Sequence, residues 1–168
     1  METISLPQLK PLYESELHHD FRDFLLTIGQ KYGEKTAFII KTKRARKNSP
    51  AEYKKISYRT FQEEAVSLGT GLYERGLYGK KIALLGINRY EWVLSYFAVL
   101  MGLGIVVPLD KGLPFEETKS SLLRSGADAL IFDRKHLEDV KRLSEDPELS
   151  IDFICMDDVD GFPFLSSI

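Results

Sequence analysis

Polar residues that directly follow apolar runs are the first candidates for chemistry in this sequence. They are Asn88 and Arg89 after IALLGI, Asp110 after IVVPL, and Asp133 after ALIF. An aspartate in such a place can act as an acid, a base or a metal ligand, and an arginine at a helix start can bind an anion. A structural role is favoured for each. Asn88 and Glu91 have the spacing of a capping box, and Asp110 can fix its turn by accepting backbone hydrogen bonds.

Phosphoacceptor, metal and nucleophilic chemistry each lack part of the side-chain set that they need. Asp133 resembles a phosphoacceptor aspartate, but an asparagine and an arginine stand where the required acidic pair would be. His18 and His19 are adjacent and point apart, and His136 has no cysteine or carboxylate at ligand spacing. Cys155 lies in an apolar run and is expected to be inert. The residues therefore predict no catalytic and no metal site.

Glycine-rich phosphate-binding motifs are incomplete as well. Gly69 and Gly71 have Glu74 where a third glycine would stand, and they lie inside a predicted helix. The glycine and two lysines at 79–81 lack both the leading glycine and the Ser/Thr of a P-loop. We therefore predict no cofactor-binding residue in this chain.

Two clusters of charge remain, and a solvated surface is favoured for both. Residues 41–55 carry one acid, Glu52, against Lys41, Lys43, Arg44, Arg46, Lys47, Lys54 and Lys55. This run is interpreted as a solvated hairpin tip, because no series of aromatic residues interleaves with the basic ones to stack bases. Contact with phosphate, nucleic acid or a membrane headgroup stays open as the alternative. The acidic residues near the carboxyl terminus are Glu145, Asp146, Glu148, Asp152, Asp157, Asp158 and Asp160.

Composition narrows the class of protein without indicating its chemistry. The chain has 168 residues, 43% of them hydrophobic and 29% charged, with a net charge of −2. These values exclude a disordered chain and any general attraction to nucleic acid. The lone cysteine fits a reducing compartment, and the amino terminus lacks the pattern of a signal peptide. We expect a soluble, cytoplasmic protein without a transmembrane segment.

The elements that would position these residues can be predicted from apolar spacing. A helix from residue 21 precedes strands at 36–40 and 53–57, which form a hairpin. Ser57 is a plausible N-cap for the next helix. Continuous apolar runs at 82–87, 105–109, 129–132 and 153–156 are typical of strands buried on both faces. Three helices lie between them: a deeply buried one over 89–101, one from Pro114 to Gly126, and one over 136–143.

This order predicts an α/β fold: a mostly parallel sheet with helices on both faces, preceded by an N-terminal helix and a β-hairpin. We divide the chain into an arm (1–20), a helix plus hairpin (21–57), a βαβ layer (58–156) and a tail (157–168).

Several phrases, in this order and spacing, resemble the amino-terminal part of the AMP-forming adenylating enzymes. They are ISY at 56–58, NRYEW at 88–92, GLG at 102–104, VPLD at 107–110 and SGA at 125–127. The resemblance covers about residues 21–156, and the NRYEW phrase favours the fatty-acyl branch of the acyl-CoA synthetases. It implies activation of a carboxylic acid by ATP to an acyl-adenylate, followed by transfer to a thiol.

The resemblance also implies that the chemistry belongs to a longer parent protein, which would use ATP, Mg²⁺ and coenzyme A. The family's phosphate-binding loop and later motifs have no match in this chain. We therefore expect an incomplete N-terminal subdomain that is inactive alone. Its expected partners are the rest of the same enzyme and, in a homodimer, a second copy bound through an exposed sheet edge or face, with no nucleic acid. The alternative is a freestanding α/β binding or interaction module.

Overall fold

A computed structural model of the chain describes residues 16–43 and 50–168. Most of the predicted arm and the tip of the basic hairpin lie outside the described residues. The helices are α1 (Phe21–Tyr32), α2 (Tyr58–Glu74), α3 (Tyr90–Ala98), α4 (Phe115–Ser125) and α5 (Leu137–Ser144). The strands are β1 (Thr36–Lys43), β2 (Glu52–Ser57), β3 (Lys81–Leu85), β4 (Ile105–Leu109), β5 (Ala129–Phe132) and β6 (Asp152–Cys155).

Four of the strands form one parallel sheet, in the order β4-β3-β5-β6. Ala83 at the centre of β3 pairs with Val107 on one side and Leu130 on the other. Strands β1 and β2 form a separate antiparallel hairpin. The predicted α/β fold class is confirmed, including the helix and hairpin that precede the sheet.

Both faces of the sheet are covered, which explains the continuous apolar runs. Ile82 and Leu84 of β3 pack in a core with α2 and α3, whereas Ala83 and Leu85 pack in a core with α4 and α5. Because successive side chains of a strand point to opposite faces, every residue of such a strand must be apolar. A third core, formed by Leu25, Ile56, Phe61 and Ala65, joins α1 and the hairpin to α2.

The start of α2 and the end of α4 lie where the sequence predicted them, and the start of α4 is shifted by one residue. The Ser57 side chain accepts a hydrogen bond from the Thr60 N–H at 3.1 Å, as expected of an N-cap. Helix α4 ends at Gly126, whose φ of 62° is left-handed. Pro114 was expected as the first helical residue but lies one position earlier, at the cap.

Helix α3 departs from prediction at its start and in its burial. It begins at Tyr90, its cap residue Arg89 makes no side-chain capping bond, and Glu91 accepts a hydrogen bond from Arg89 instead of reaching back to Asn88. The predicted capping box is therefore wrong. The helix is also only partly buried, since Trp92 and Tyr96 stack on each other and remain partly exposed.

The connection from α3 to β4 depends on two glycines. After α3 the chain makes a wide turn, Val99–Leu103, in which Gly102 has a φ of 106° that favours glycine. Gly104 then passes so close to β3 that a Cβ atom there would lie 2.2 Å from the Lys80 carbonyl oxygen.

Among the described residues, no helix is long and apolar enough to cross a bilayer.

Candidate functional site

The carboxyl ends of the parallel strands bring most of the candidate residues together. Ligands of open α/β sheets bind at this edge. Asp133, directly after β5, is 2% exposed. Its carboxylate accepts hydrogen bonds from the N–H groups of Ile87 at 2.8 Å and Lys135 at 3.0 Å. Gly86 permits this approach, because a Cβ atom there would lie 3.1 Å from the same carboxylate.

His136 is not alone, contrary to the expectation from sequence. Its Nδ1 lies 2.8 Å from Asp133 Oδ1, and its Nε2 lies 3.1 Å from the Lys111 carbonyl oxygen. Both partners are oxygen atoms that accept hydrogen bonds, so each contact uses a proton on the ring nitrogen that makes it. The pair ties the loop after β4 to the loop after β5. With both nitrogens engaged, this histidine is arranged to hold two loops together.

The aspartate after β4 has the structural role favoured from sequence. Asp110 Oδ1 accepts a hydrogen bond from the Gly112 N–H at 2.7 Å, and the Asp110 carbonyl accepts one from Leu113. This is the turn-fixing geometry typical of aspartate. The prediction for Asp110 is confirmed.

Arg89 lies at the centre of a second network at the same edge. Its guanidinium donates to Glu91 at 2.6 Å and to both oxygens of Asp157 at 2.8 and 2.9 Å. Asp157 also accepts the Arg134 N–H at 2.9 Å. Asp157 was predicted to be a solvated surface residue, and that is wrong. Hydrogen bonds to the Asp157 carboxylate thereby join the loops after β3, β5 and β6.

These contacts shift the pKa values of Arg89 and Asp157 in the directions that favour their charged forms. Burial acts to lower the pKa of Arg89, but its hydrogen bonds to Glu91 and Asp157 outweigh burial and hold that pKa above its usual range. Burial likewise acts to raise the pKa of Asp157, but hydrogen bonds from Arg89 and Arg134 outweigh it and hold that pKa below its usual range. The arginine is therefore engaged in this internal ion pair.

Cys155 is buried in the sheet, and Asp146 lies in an ion pair at the surface. Cys155 is fully buried beside β5, and burial raises the pKa of its thiol, which suits packing better than nucleophilic attack. Asp146 was expected to be solvated, but it forms an ion pair with Lys119 at 2.6 Å.

A cleft lies between the hairpin and helices α2 and α3. It has a volume of about 450 Å³. At its wall the Tyr90 hydroxyl donates to Glu64 Oε2 at 2.5 Å, and burial together with this bond raises the pKa of the phenol. Ser166 and Ile168 close another side. Sequence reasoning missed the Tyr90–Glu64 pair, since the two residues are 26 positions apart.

The buried polar side chains of the described residues are hydrogen-bonded within the chain. None of their buried polar atoms lacks a hydrogen-bond partner, so none is left aimed at a ligand. No group of three metal-binding side chains lies close together within residues 16–43 and 50–168. Lys80 is paired with Asp128, and the Lys81 ammonium donates to the Ser125 carbonyl. The part of the chain that is described does not fit ATP or Mg²⁺, although its residues build a rigid edge.

Comparison with known proteins assigns this parallel α/β layer to a family. The model of the AMP-binding enzyme family matches residues 27–163, so the chain belongs to that family. A plipastatin synthase of Bacillus subtilis (strain 168) is 31% identical over 109 residues, which cover 64% of this chain and 4% of that protein.

Solved structures of acid–CoA ligases share the fold. A long-chain-fatty-acid-CoA ligase from Archaeoglobus fulgidus superposes with a TM-score of 0.74 at 20% identity, covering 95% of this chain and 32% of that one. An anthranilate CoA ligase in complex with anthranoyl-AMP gives a TM-score of 0.72 at 21% identity, covering 91% and 27%. The chain therefore spans less than a third of each of these proteins.

Proposed function

We propose that this chain is the N-terminal segment of an AMP-forming acyl-CoA synthetase and that the segment alone is catalytically inactive. The whole enzyme would use Mg-ATP to activate a carboxylic acid, with a fatty acid favoured, and would transfer the acyl group to coenzyme A. One observation carries the proposal. The family match spans residues 27–163, yet the polar residues at the carboxyl edge of this sheet are engaged with one another.

The segment's role in this proposal is to present a rigid wall to the rest of the enzyme. The Asp133–His136 and Arg89–Asp157 networks fix four loops at the edge where open α/β sheets bind their ligands. The remainder of the enzyme would pack against surface that is still partly exposed, including the stacked Trp92 and Tyr96 of α3. The edge strand β4, where Ile105 is 56% exposed, offers a second contact for that remainder or for another copy.

The alternative is a freestanding α/β binding module without catalysis. The cavity beside Tyr90 and Glu64 is the feature that favours it, because a preformed pocket can bind a small molecule without any reaction. The two proposals differ in whether a longer gene product would activate a carboxylic acid with ATP.

Pyrophosphate exchange separates the two proposals. The assay follows carboxylate-dependent exchange of labelled pyrophosphate into ATP, with a series of fatty and aromatic acids. We expect exchange from the protein of the complete reading frame and none from the 168-residue chain. Exchange by the 168-residue chain alone would contradict its inactivity, and no exchange by either protein with any acid would favour the binding module.

A further inference from the structure

His136 joins two loops at the carboxyl edge of the sheet through both of its ring nitrogens. Nδ1 lies 2.8 Å from Asp133 Oδ1, and Nε2 lies 3.1 Å from the Lys111 carbonyl oxygen. The His136 side chain is 13% exposed and the Asp133 side chain is 2% exposed. Among the described residues, 111–113 have no other hydrogen bond to a different loop. The histidine is therefore the polar contact that holds the loop after β4 to the loop after β5.

The number of protons on the ring decides how many of these bonds can form. Asp133 also accepts the N–H groups of Ile87 and Lys135, which suits an ionised carboxylate that only accepts hydrogen bonds. With this carboxylate on one side and a carbonyl on the other, both bonds form when both ring nitrogens carry a proton. A neutral ring keeps its one proton toward Asp133, because a bond to an ionised carboxylate is stronger than a bond to a carbonyl. The lone pair of Nε2 then faces the Lys111 oxygen, and that bond is lost.

We propose that His136 is a pH-sensitive tie, which holds the loop after β4 when Nε2 is protonated and releases that loop when the Nε2 proton is lost. Histidine is the side chain whose charge ordinarily changes between about pH 5 and 8. Ligands of open α/β sheets bind at this edge, so rising pH loosens one wall of the place where a ligand would lie. The inference goes beyond the proposed function and does not need it, because every group of the tie belongs to this segment.

The charged groups near the ring leave Asp133 as its ionic partner. The segments that meet at this contact carry six further charged side chains, which are Asp110, Lys111, Arg134, Lys135, Glu138 and Asp139. The two carboxylates of α5 pair with basic residues of the same helix. Asp110 accepts the Gly112 N–H. Arg134 donates to the Asp158 carbonyl. The two lysines are exposed, so water and salt screen their charges from the ring. Within the described chain, the Asp133 carboxylate is therefore the charged group in contact with His136.

NMR titration of the full 168-residue chain from about pH 5 to about pH 8 tests the proposal. Nitrogen spectra of the His136 ring should show protons on both nitrogens at the acidic end and on Nδ1 alone at the alkaline end. The Leu113 amide, which donates to the Asp110 carbonyl, reports on the loop after β4. Its protection factor against hydrogen exchange should fall at least roughly fivefold, the equivalent of one net hydrogen bond. The fall should have the same midpoint as the loss of the Nε2 proton.

Two glutamine variants show whether His136 causes the change. His136→Gln keeps an amide donor but cannot titrate, so the Leu113 protection factor should no longer depend on pH. His19→Gln removes an exposed histidine before α1 and should behave like the wild type. A Leu113 protection factor that does not change in the wild-type chain, or changes with a different midpoint from the ring, would overturn the proposal. So would equal pH dependence in His136→Gln, or an Nδ1 without a proton at the acidic end. No nucleotide or acid is added, so the result is independent of pyrophosphate exchange.

Discussion

The residues at the carboxyl edge show what a single sequence can and cannot predict about polar side chains. The role of Asp110 was predictable, because its partner Gly112 is two residues away and the turn is local. The partners of Asp133 and Arg89 were not, since Ile87 lies 46 residues from Asp133 and Asp157 lies 68 residues from Arg89. Such pairs exist only after the parallel strands have brought their loops to one edge.

His136 illustrates a different limit at the same scale. Its partner Asp133 is only three residues away, a spacing that is visible in the sequence, but a tight turn of residues Arg134–His136 is needed to bring the ring onto the carboxylate. A carboxylate three residues before a histidine, directly after a buried strand, was the signal available. That spacing indicates a pair that fixes a loop, which is a different role from the metal ligation that the sequence excluded for this histidine.

The Arg89–Asp157 pair predicts how stability depends on pH. Asp157→Asn should cost about 1–3 kcal/mol at neutral pH, since it removes a charge-assisted contact with both carboxylate oxygens. The pKa of Asp157 is lower in the folded chain than its ordinary value of about 3.9. The stabilisation is therefore complete above the ordinary value and is lost as pH falls through the lowered pKa of the folded state.

Urea unfolding of wild type and variant at successively lower pH measures this difference. The gap in the free energy of unfolding should narrow as the medium becomes more acidic. Asp160→Asn, at an exposed site, is the matched control and should stay within about 0.5 kcal/mol of wild type at every pH. A gap for Asp157→Asn that does not change with pH would show that the pair does not titrate as described.

At the scale of elements, apolar patterning was a good guide to the strands and a weaker one to helix α3. The four apolar runs became four parallel strands because their residues pack on both faces of the sheet. Helix α3 has apolar residues nearly all round, which predicted deep burial, yet Trp92 and Tyr96 are only half-buried. Periodicity reports that a face is apolar, but it does not report which neighbour covers the face.

The junction between α3 and β4 leaves no room for a side chain at position 104. Gly104→Ala should destabilise the chain by about 1–3 kcal/mol, because the added methyl group would meet the backbone of Lys80 and part of β3 would have to move. Gly69→Ala is the matched control. A methyl group there meets only the Ala98 carbonyl oxygen at 3.4 Å. Alanine also stabilises the interior of a helix relative to glycine, by up to about 1 kcal/mol.

Thermal or urea unfolding of the two alanine variants measures this difference. We expect Gly104→Ala to lower the free energy of unfolding and Gly69→Ala to leave it unchanged or raise it. Equal effects of the two substitutions would mean that the close approach of β3 and the α3–β4 turn is not a constraint on the fold.

The described residues build an α/β layer in which the polar side chains at the carboxyl edge of the sheet bind one another. The fold class was predictable from the order of helices and apolar runs, and the family from short phrases spread across the layer. The way in which the edge is locked was not predictable, because it depends on contacts between loops that are far apart in sequence. The same contacts underlie the central claim that this segment supports chemistry located elsewhere in a longer enzyme.

Calorimetric titration of Mg-ATP into the 168-residue chain tests that claim most directly, since it requires no knowledge of the acid substrate. The account predicts no heat beyond dilution for the segment and saturable binding for the protein of the complete reading frame. Saturable binding of Mg-ATP to the segment alone, with a micromolar dissociation constant, would contradict the claim.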